Sequence, residues 1–194
     1  MKLANFTIPI VATLALALGA CSPQESPDKP AAASRPAQPY DAAASQGKGF
    51  TVGAMMSANA VYVLFDPQCP HCGHLWEASV PLHKKARFVW IPVSIMNPKS
   101  GPQGAALLTA ANPAELMAAH EKSILAGTGG IAASASIPPD LELTLKKNTQ
   151  LFNSLGVESV PYILAKNVRT GQVVTHNGAL ATPALAEFLG LDQP

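Results

Sequence analysis

The sequence predicts an α/β domain built from an N-terminal βαβ unit, a helical insertion and a C-terminal ββα unit. A β-branched and aromatic run over residues 60–65 has the alternation of a buried strand, and the turn signal Asp66-Pro67 ends it. A helix start follows at residues 69–72, and a second strand is predicted over residues 87–93. This strand–helix–strand order favours a right-handed βαβ unit.

The helical insertion is predicted over about residues 97–156. Its clearest start is Asn112-Pro113-Ala114-Glu115, which combines an Asn cap, a Pro in the first turn and a Glu at the third helical position. Apolar residues recur at helical spacing between residues 141 and 155, and Gly156 marks the end of that helix. These signals predict more than one helix between the two strand units.

The C-terminal unit is predicted to be a hairpin followed by a helix. Residues 161–166 and 172–176 have strand character and flank a tight turn at residues 169–171. Thr182-Pro183 then begins a last short helix that ends at Gly190.

The first 20 residues predict an export signal peptide rather than a part of the fold. Lys2 precedes an apolar run that is too short for a comfortable membrane span and ends in small residues. Leu18-Gly19-Ala20-Cys21 resembles the box that precedes the lipidated cysteine of bacterial lipoproteins. We expect Cys21 to carry lipid, with Ser22 after it directing the chain to the outer membrane. The alternative is ordinary secretion, with Cys21 incidental.

Residues 21–48 are predicted to form a disordered tether. Proline recurs there among Ala, Ser and Gln, and such a composition cannot bury enough surface to offset the entropy of ordering. The folded domain is therefore predicted to cover residues 49–194, a size typical of one domain. The net charge is +1 and the sequence has no basic run, so nothing in it indicates a nucleic-acid-binding protein.

Cys69-Pro70-His71-Cys72 is the motif that indicates chemistry. Thiol–disulfide exchange needs one thiolate that attacks and a second thiol that resolves the mixed disulfide. A helix N-terminus places its positive dipole end and free N–H groups near Cys69, which favours the thiolate. We expect Cys69 to attack, a buried Cys72 to resolve, Pro70 to occupy the first helical turn and His71 to stabilise the anion further.

Two alternatives compete with redox catalysis at this motif. A structural disulfide between cysteines this close would enclose too small a loop to stabilise a fold usefully. The other alternative is a zinc or copper site, for which the nearby side chains are Cys69, Cys72, His71, His74 and His83. A second ligand pair at comparable spacing is absent from the sequence, so we expect no metal. His74 and His83 instead fit a solvated helix face.

These motifs together resemble the catalytic domain of the DsbG and DsbC family of periplasmic disulfide proteins. The residues that carry the resemblance are Asp66-Pro67-Gln68-Cys69-Pro70-His71-Cys72, Trp76, Ile91-Pro92-Val93, the stretch 100–108 and Val160-Pro161. It extends from about Gly49 to the C-terminus, with DsbG the nearer of the two. The resemblance implies a thioredoxin-like fold with a helical insertion and protein thiols or disulfides as substrates. It implies no cofactor beyond the redox-active pair Cys69 and Cys72.

The resemblance also implies a substrate site at Val160 and Pro161. Thioredoxin-like oxidoreductases place a cis-proline across from the CxxC motif, where its missing N–H leaves main chain with which a substrate can pair. We therefore expect a cis Val160–Pro161 bond within reach of Cys69, and we expect these two residues to bind substrate.

The sequence departs from the family in its first 48 residues and at the tips of its active site. DsbG and DsbC have an N-terminal dimerisation domain where this sequence has the proline-rich tether, so we expect a monomer. Pro70-His71 and the valine before Pro161 instead resemble DsbA, the dedicated oxidase. The acidic residue that thioredoxin and DsbA place six positions before the attacking cysteine is Val63 here, as in the DsbG group.

The expected function is thiol–disulfide interchange in the periplasm, in which the chain oxidises or rearranges disulfides of exported proteins. The direction of exchange stays open at this point, and the expected redox partner is a membrane protein of unknown identity. The alternatives are a redox-inert chaperone or assembly module and a metal-handling thioredoxin-fold protein of the envelope.

Overall fold

The structure is a computed structural model that describes residues 38–58 and 60–193. Its helices and strands are, in chain order, α1 (Pro39–Gln46), β1 (Phe50–Gly53), β2 (Ala60–Phe65), α2 (Pro70–Ser79), the 3₁₀ turn Val80–Leu82, β3 (Arg87–Pro92), α3 (Ser100–Leu108), α4 (Pro113–Leu125), α5 (Pro139–Ser154), β4 (Tyr162–Lys166), β5 (Val173–Asn177) and α6 (Thr182–Leu189). Over these described residues, no helix has the length and apolar character that crossing a membrane requires.

The strands form one mixed sheet in the order β1-β3-β2-β4-β5. β2 and β3 run parallel, with Val63 opposite Trp90, and α2 connects them, so the predicted βαβ unit is confirmed. β4 pairs antiparallel with β2 and with β5, and α6 follows β5, which confirms the predicted ββα unit. β2 is the central strand of the sheet. The cysteine motif follows its C-terminal end and therefore lies at the middle of the row of strand ends.

The two faces of the sheet carry separate apolar clusters, because successive strand side chains point to opposite faces. Val63 and Phe65 of β2 face one side, where they pack with residues of α2 and α6 and with Met117 of α4. Leu64 faces the other side, where α1 and α5 cover the sheet. Trp90 anchors the first cluster, with its ring centroid 5.4 Å from those of both Phe65 and Trp76. Each fully buried side chain of this size stabilises the fold by about 1.5–3 kcal/mol.

The helix ends follow the sequence signals closely. At the start of α4, the backbone N–H of Glu115 donates to the side-chain oxygen of Asn112 at 3.3 Å, as the predicted cap requires. α6 ends at Gly190, which adopts the left-handed conformation with φ 73°. α5 lies on the sheet itself, and its buried Asn148 joins the carbonyl oxygens of Lys48 and Pro92 at 2.8 and 3.0 Å. The predicted helical insertion between β3 and β4 consists of α3, α4 and α5.

The prediction of a disordered tether up to residue 48 was wrong for its last ten residues. Residues 39–46 form α1, in which Ala43 is fully buried and the Tyr40 hydroxyl donates to the carbonyl of Ala60 at 3.0 Å. The rings of Tyr40 and Tyr62 also meet edge to face at 5.1 Å. Alanines and one tyrosine are enough to hold this helix in place, because it packs against an existing sheet.

The strand β1 (Phe50–Gly53) was not predicted from the sequence either. It is an edge strand that pairs antiparallel with β3.

Candidate active site

The active-site turn is fixed by a buried aspartate directly after β2. Asp66 is fully buried, and its carboxylate accepts four hydrogen bonds. One oxygen accepts from the backbone N–H of Gln68 at 2.8 Å and from the hydroxyl of Ser100 at 2.7 Å. The other accepts from the backbone N–H groups of Ile95 and Met96 at 2.8 and 3.0 Å. One carboxylate thus joins the turn before the cysteines, the segment after β3 and the start of α3.

The two cysteines occupy the N-terminus of α2 as predicted. Cys69 is the N-cap residue with an extended backbone, and Pro70 is the first helical residue, where its missing N–H costs no hydrogen bond. The N–H of Cys72 donates to the carbonyl of Cys69 at 3.0 Å. Both are free thiols, Cys69 4% exposed and Cys72 fully buried. Cys69 is therefore the more accessible sulfur, although most of it is covered.

The environments of the two thiols shift their pKa values in opposite directions. A hydrogen bond from the thiol of Cys72 is the main cause that lowers the pKa of Cys69 to about 7, with burial opposing it. The backbone N–H groups of Cys72 and His71 lower it further. Burial raises the pKa of Cys72 well above its usual range, and the hydrogen bond to Cys69 and the negative charge there add to this effect. Cys69 is therefore the thiol that ionises first, which is the order that attack by Cys69 and resolution by Cys72 require.

The start of β4 lies across from the attacking sulfur. The Val160–Pro161 peptide bond is cis, which confirms the prediction. The thiol of Cys69 donates to the carbonyl oxygen of Val160 at 3.5 Å, so the cis peptide bond lies in contact with the first cysteine of the motif. The carbonyl of Pro161 accepts from the N–H of Gly178 at 2.8 Å, which ties this end of β4 to the segment after β5.

A second network ties the loop after α4 to the active-site turn. Nε2 of His120 lies 2.6 Å from the carbonyl oxygen of Pro67, and Nδ1 accepts from the backbone N–H of Ile131 at 3.2 Å. These partners require a neutral imidazole protonated at Nε2, and burial, the main influence on it, lowers the pKa of His120. Gln103 donates to the carbonyl of Ile131 at 2.9 Å. Gly130 has φ 85°, and a Cβ there would lie 2.5 Å from the His120 ring.

No family model matches the chain. Two curated relatives are named as thiol:disulfide interchange proteins. The chain is 31% identical over 140 residues to the thiol:disulfide interchange protein DsbG of Pseudomonas aeruginosa, which covers 71% of this chain and 54% of the relative. It is 28% identical over 118 residues to DsbG of Escherichia coli, covering 59% of this chain and 47% of that protein. The chain thus spans about half the length of these curated relatives.

Over 71% of its length, the chain is therefore similar to thiol:disulfide interchange proteins of the DsbG type. Solved structures confirm the predicted thioredoxin-like fold. The catalytic domain of Proteus mirabilis ScsC matches with a TM-score of 0.61 at 14% identity, over 77% of this chain and 92% of that one. A periplasmic thioredoxin-like protein from Salmonella enterica serovar Typhimurium matches with a TM-score of 0.59 at 17% identity, over 78% and 94%.

The predicted site residues within the described part of this DsbG-like chain come together at one place. They are Cys69, Pro70, His71, Cys72, Val160 and Pro161. The ring of His71 is exposed, and its centroid lies 6.4 Å from that of His74. The signal peptide and Cys21 lie outside the described residues. Within residues 38–58 and 60–193, no group of three or more His, Cys, Asp or Glu side chains is placed to hold a metal ion.

The prediction that His83 lies on a solvated helix face was wrong. His83 is half-buried rather than solvated: its ring lies 5.4 Å from that of Trp76 and 5.5 Å from that of Phe88, and burial lowers its pKa. His120, for which the sequence predicted no role, is fully buried beside the active-site turn. Periodicity does predict His120 on a buried face, since it lies three residues after buried Met117 of α4 and four before buried Ile124. Its contact with Pro67 depends on tertiary packing alone.

Proposed function

We propose that this DsbG-like chain exchanges disulfides in exported proteins through Cys69 and Cys72, oxidising or rearranging them. The observation that carries this proposal is the asymmetry of the pair, in which the pKa of Cys69 is lowered to about 7 while that of Cys72 is raised well above its usual range. The thiolate of Cys69 forms the mixed disulfide with a client protein, and Cys72 resolves it.

The stabilised thiolate supports an oxidising direction. Whatever stabilises the anion of Cys69 stabilises the reduced form of the pair, and it therefore raises the reduction potential of the disulfide. The thiol of Cys72 and the N–H groups at the start of α2 supply this stabilisation. A pair of this kind gives up its disulfide readily to reduced clients, which is the property an oxidase needs.

The substrate surface that we propose is the start of β4. The carbonyl oxygen of Val160 lies 3.5 Å from the Cys69 sulfur, so a client cysteine that approaches this sulfur passes the backbone of Val160 and Pro161. A client main chain there can pair with backbone groups in the manner of an added strand, which binds many sequences through the same hydrogen bonds. This geometry supports protein substrates of varied sequence.

The location that we propose is the periplasm, with residues 1–20 as signal peptide and Cys21 as a lipid anchor to the outer membrane. The similarity to a structure described as a periplasmic thioredoxin-like protein supports the compartment. We further propose a monomer that a membrane redox partner reoxidises. Labelling with radioactive palmitate, compared between wild type and Cys21→Ser, tests the anchor, and light scattering of a form starting at Ser22 tests the monomer.

An insulin-reduction assay tests the central proposal. Wild type should accelerate insulin reduction by dithiothreitol, and Cys69→Ser should lose the acceleration completely. Cys72→Ser should instead accumulate a mixed disulfide through Cys69 that is visible on a non-reducing gel. Equal activity in wild type and Cys69→Ser would contradict redox catalysis and favour the redox-inert alternative. Equilibration of the pair with glutathione then measures its reduction potential and decides the direction.

A further inference from the structure

A buried histidine links the active-site turn to the loop after α4. His120 is fully buried, and both of its ring nitrogens have a backbone partner. Nε2 donates to the carbonyl oxygen of Pro67 at 2.6 Å, and Nδ1 accepts from the backbone N–H of Ile131 at 3.2 Å. A neutral imidazole has one donor and one acceptor, so these two bonds use all of its hydrogen-bonding capacity. The ring therefore has one tautomer and one orientation.

The bond to Pro67 lies two residues before the attacking cysteine. As the N-cap residue of α2, Cys69 has an extended backbone that directs its sulfur towards the N–H groups of His71 and Cys72. These two groups are among the causes that lower the pKa of Cys69. The turn that precedes Cys69 sets this backbone conformation, so a displaced turn weakens the stabilisation of the thiolate.

The same turn places the Cys69 sulfur against the start of β4. The backbone N–H of Cys69 donates to the carbonyl of Asp66 at 3.0 Å within the turn, and its thiol lies 3.5 Å from the carbonyl oxygen of Val160. A shift of the Pro67 carbonyl therefore moves the sulfur relative to the surface where we place the client. The hydrogen bond from His120 restrains this carbonyl from the side of α4.

The loop that contacts Nδ1 approaches the imidazole closely. Gly129 and Gly130 have φ 88° and 85°, and a Cβ on Gly130 would lie 2.5 Å from Cε1 of His120. Gln103 of α3 donates to the carbonyls of Gly129 and Ile131 at 2.8 and 2.9 Å, so α3 holds the loop in place. The loop thus supports the ring on the side away from Pro67.

We propose that His120 is a positioning residue for Cys69, which holds the turn at Pro67 so that the attacking sulfur lies between the N-terminus of α2 and the carbonyl of Val160. The N–H of Ile131 supports this role, because it keeps the ring proton on Nε2. The inference deepens the proposed function and rests on it, since attack on a client disulfide depends on where this sulfur is held. His120 itself forms no bond to the client and exchanges no proton in the reaction.

Two substitutions of His120 separate its two hydrogen bonds. His120→Gln places an amide NH₂ near the position of Nε2, so it keeps a donor for the carbonyl of Pro67. His120→Asn is shorter, and its amide reaches only to the position of Nδ1, where its oxygen accepts from Ile131. His83→Asn is the matched control, because the half-buried ring of His83 packs on Trp76 and Phe88, beyond the C-terminal end of α2.

All variants are made in full-length chains that also carry Cys21→Ser. Cys69 and Cys72 are then the only thiols, since the sequence has three cysteines. Three quantities are measured for each protein: the pH midpoint of Cys69 alkylation by iodoacetamide, the equilibrium of the pair with glutathione, and the free energy of unfolding in urea. A purely structural histidine would change only the third quantity.

His120→Asn should raise the alkylation midpoint by about one unit and shift the glutathione equilibrium about fivefold towards the disulfide at about pH 8. His120→Gln should stay within about 0.3 of a unit and about twofold of wild type. His83→Asn should lose stability without either shift. Wild-type values in His120→Asn, equal shifts in both His120 variants, or an equal shift in His83→Asn overturn the inference while the proposed function stands. If the wild-type pair does not exchange with glutathione, the proposed function falls and the inference falls with it.

Gly130→Ala tests the same link from the side of the loop if the His120 variants do not fold. The new Cβ would displace the imidazole, so the alkylation midpoint should rise as in His120→Asn. Gly127→Ala is the control, because Gly127 also has a positive φ of 71° but a Cβ there meets no atom of the described residues within 4 Å. An unchanged midpoint in Gly130→Ala, or an equal rise in Gly127→Ala, overturns the inference.

Discussion

Two buried carboxyl groups flank the active-site turn, and their surroundings differ completely. Asp66 lies before Cys69 and accepts four hydrogen bonds from backbone and side-chain donors. Glu121 lies behind Cys72 and accepts none within the described residues. Both residues are fully buried, so exposure does not distinguish them. What distinguishes them is the number of donors that compensate a negative charge.

This difference separates a carboxylate that anchors the active-site turn from a carboxyl group that the interior keeps neutral. Four donors compensate the charge of Asp66, so this carboxylate holds three segments of chain together at little electrostatic cost. Glu121 has no such compensation, and its pKa is raised to about 9 by burial and by neighbouring negative charge. A buried carboxyl group without donors costs stability when it is charged, so the interior keeps Glu121 neutral over most of the pH range.

The largest effect that we expect is the loss of stability in Asp66→Asn, which removes the charge that the four donors compensate. The amide would keep one acceptor oxygen, but its NH₂ group would face backbone N–H groups that now donate to the carboxylate. We expect a loss of about 3 kcal/mol in the free energy of unfolding, since buried charge-assisted hydrogen bonds are lost and donors are left unpaired. Urea denaturation followed by circular dichroism measures this loss. Asp41→Asn, at an exposed residue of α1, is the control and should change stability by less than about 0.5 kcal/mol.

Glu121→Gln should have the opposite effect, and its size should depend on pH. The pKa of Glu121 is raised from 4.5 to about 9, so the folded state binds an extra proton between these values. The contribution of Glu121 to stability is therefore highest below about pH 4.5 and falls as pH rises towards about 9. Glutamine has no such dependence. The variant should be more stable than wild type by on the order of 2 kcal/mol at about pH 8, and the difference should shrink towards acid pH.

Chemical denaturation of both proteins across this pH range measures the difference directly. Since Cys69 and Cys72 titrate in both proteins, their contributions largely cancel in the comparison. A variant that is less stable than wild type at alkaline pH would show that the carboxyl group is compensated by contacts that stabilise its charged form.

The contrast between the two carboxyl groups also shows what the sequence could predict. The order of elements and the cysteine motif follow from local patterns, because turn residues, caps and apolar periodicity are local signals. The relative reactivity of Cys69 and Cys72 follows as well, since it depends on their positions at one helix N-terminus. Asp66 could be found only as a turn residue, because three of its four donors come from residues 95–100.

The burial of Glu121 and the existence of α1 could not be predicted from the sequence, for a related reason. Glu121 lies 49 positions after Cys72 along the chain, and its sequence neighbours give no sign that α4 packs on α2. α1 has small side chains and a proline-rich surrounding, so its composition predicts disorder. Its burial depends on a sheet face that only the fold assembles. Both were missed because tertiary packing decides them.

A smaller effect concerns the pH at which Cys69 is alkylated, which tests how far the charge of Glu121 influences this thiol. The pKa of Cys69 is lowered to about 7, so its alkylation by iodoacetamide should have a pH midpoint near that value, with Cys72 unmodified there. Glu121→Gln should leave this midpoint unchanged within about half a unit, because Glu121 with a pKa of about 9 carries little charge at neutral pH. Mass spectrometry identifies the alkylated cysteine. A midpoint near about 8.5 in wild type would mean that the thiolate is not stabilised.

The smallest expected effect is that of His71→Ser, which separates ring charge from backbone donors at Cys69. Part of the lowering of the pKa of Cys69 comes from the backbone N–H of His71, which serine keeps. The ring is exposed beside His74, so solvent screens whatever positive charge it carries. We therefore expect the alkylation midpoint to rise by only about half a unit and the pair to become slightly more reducing. His74→Ser, on the same exposed surface one turn along α2, should leave the midpoint unchanged. A rise of about two units in His71→Ser would show that the imidazole, rather than the helix N-terminus and Cys72, is the main stabiliser of the thiolate.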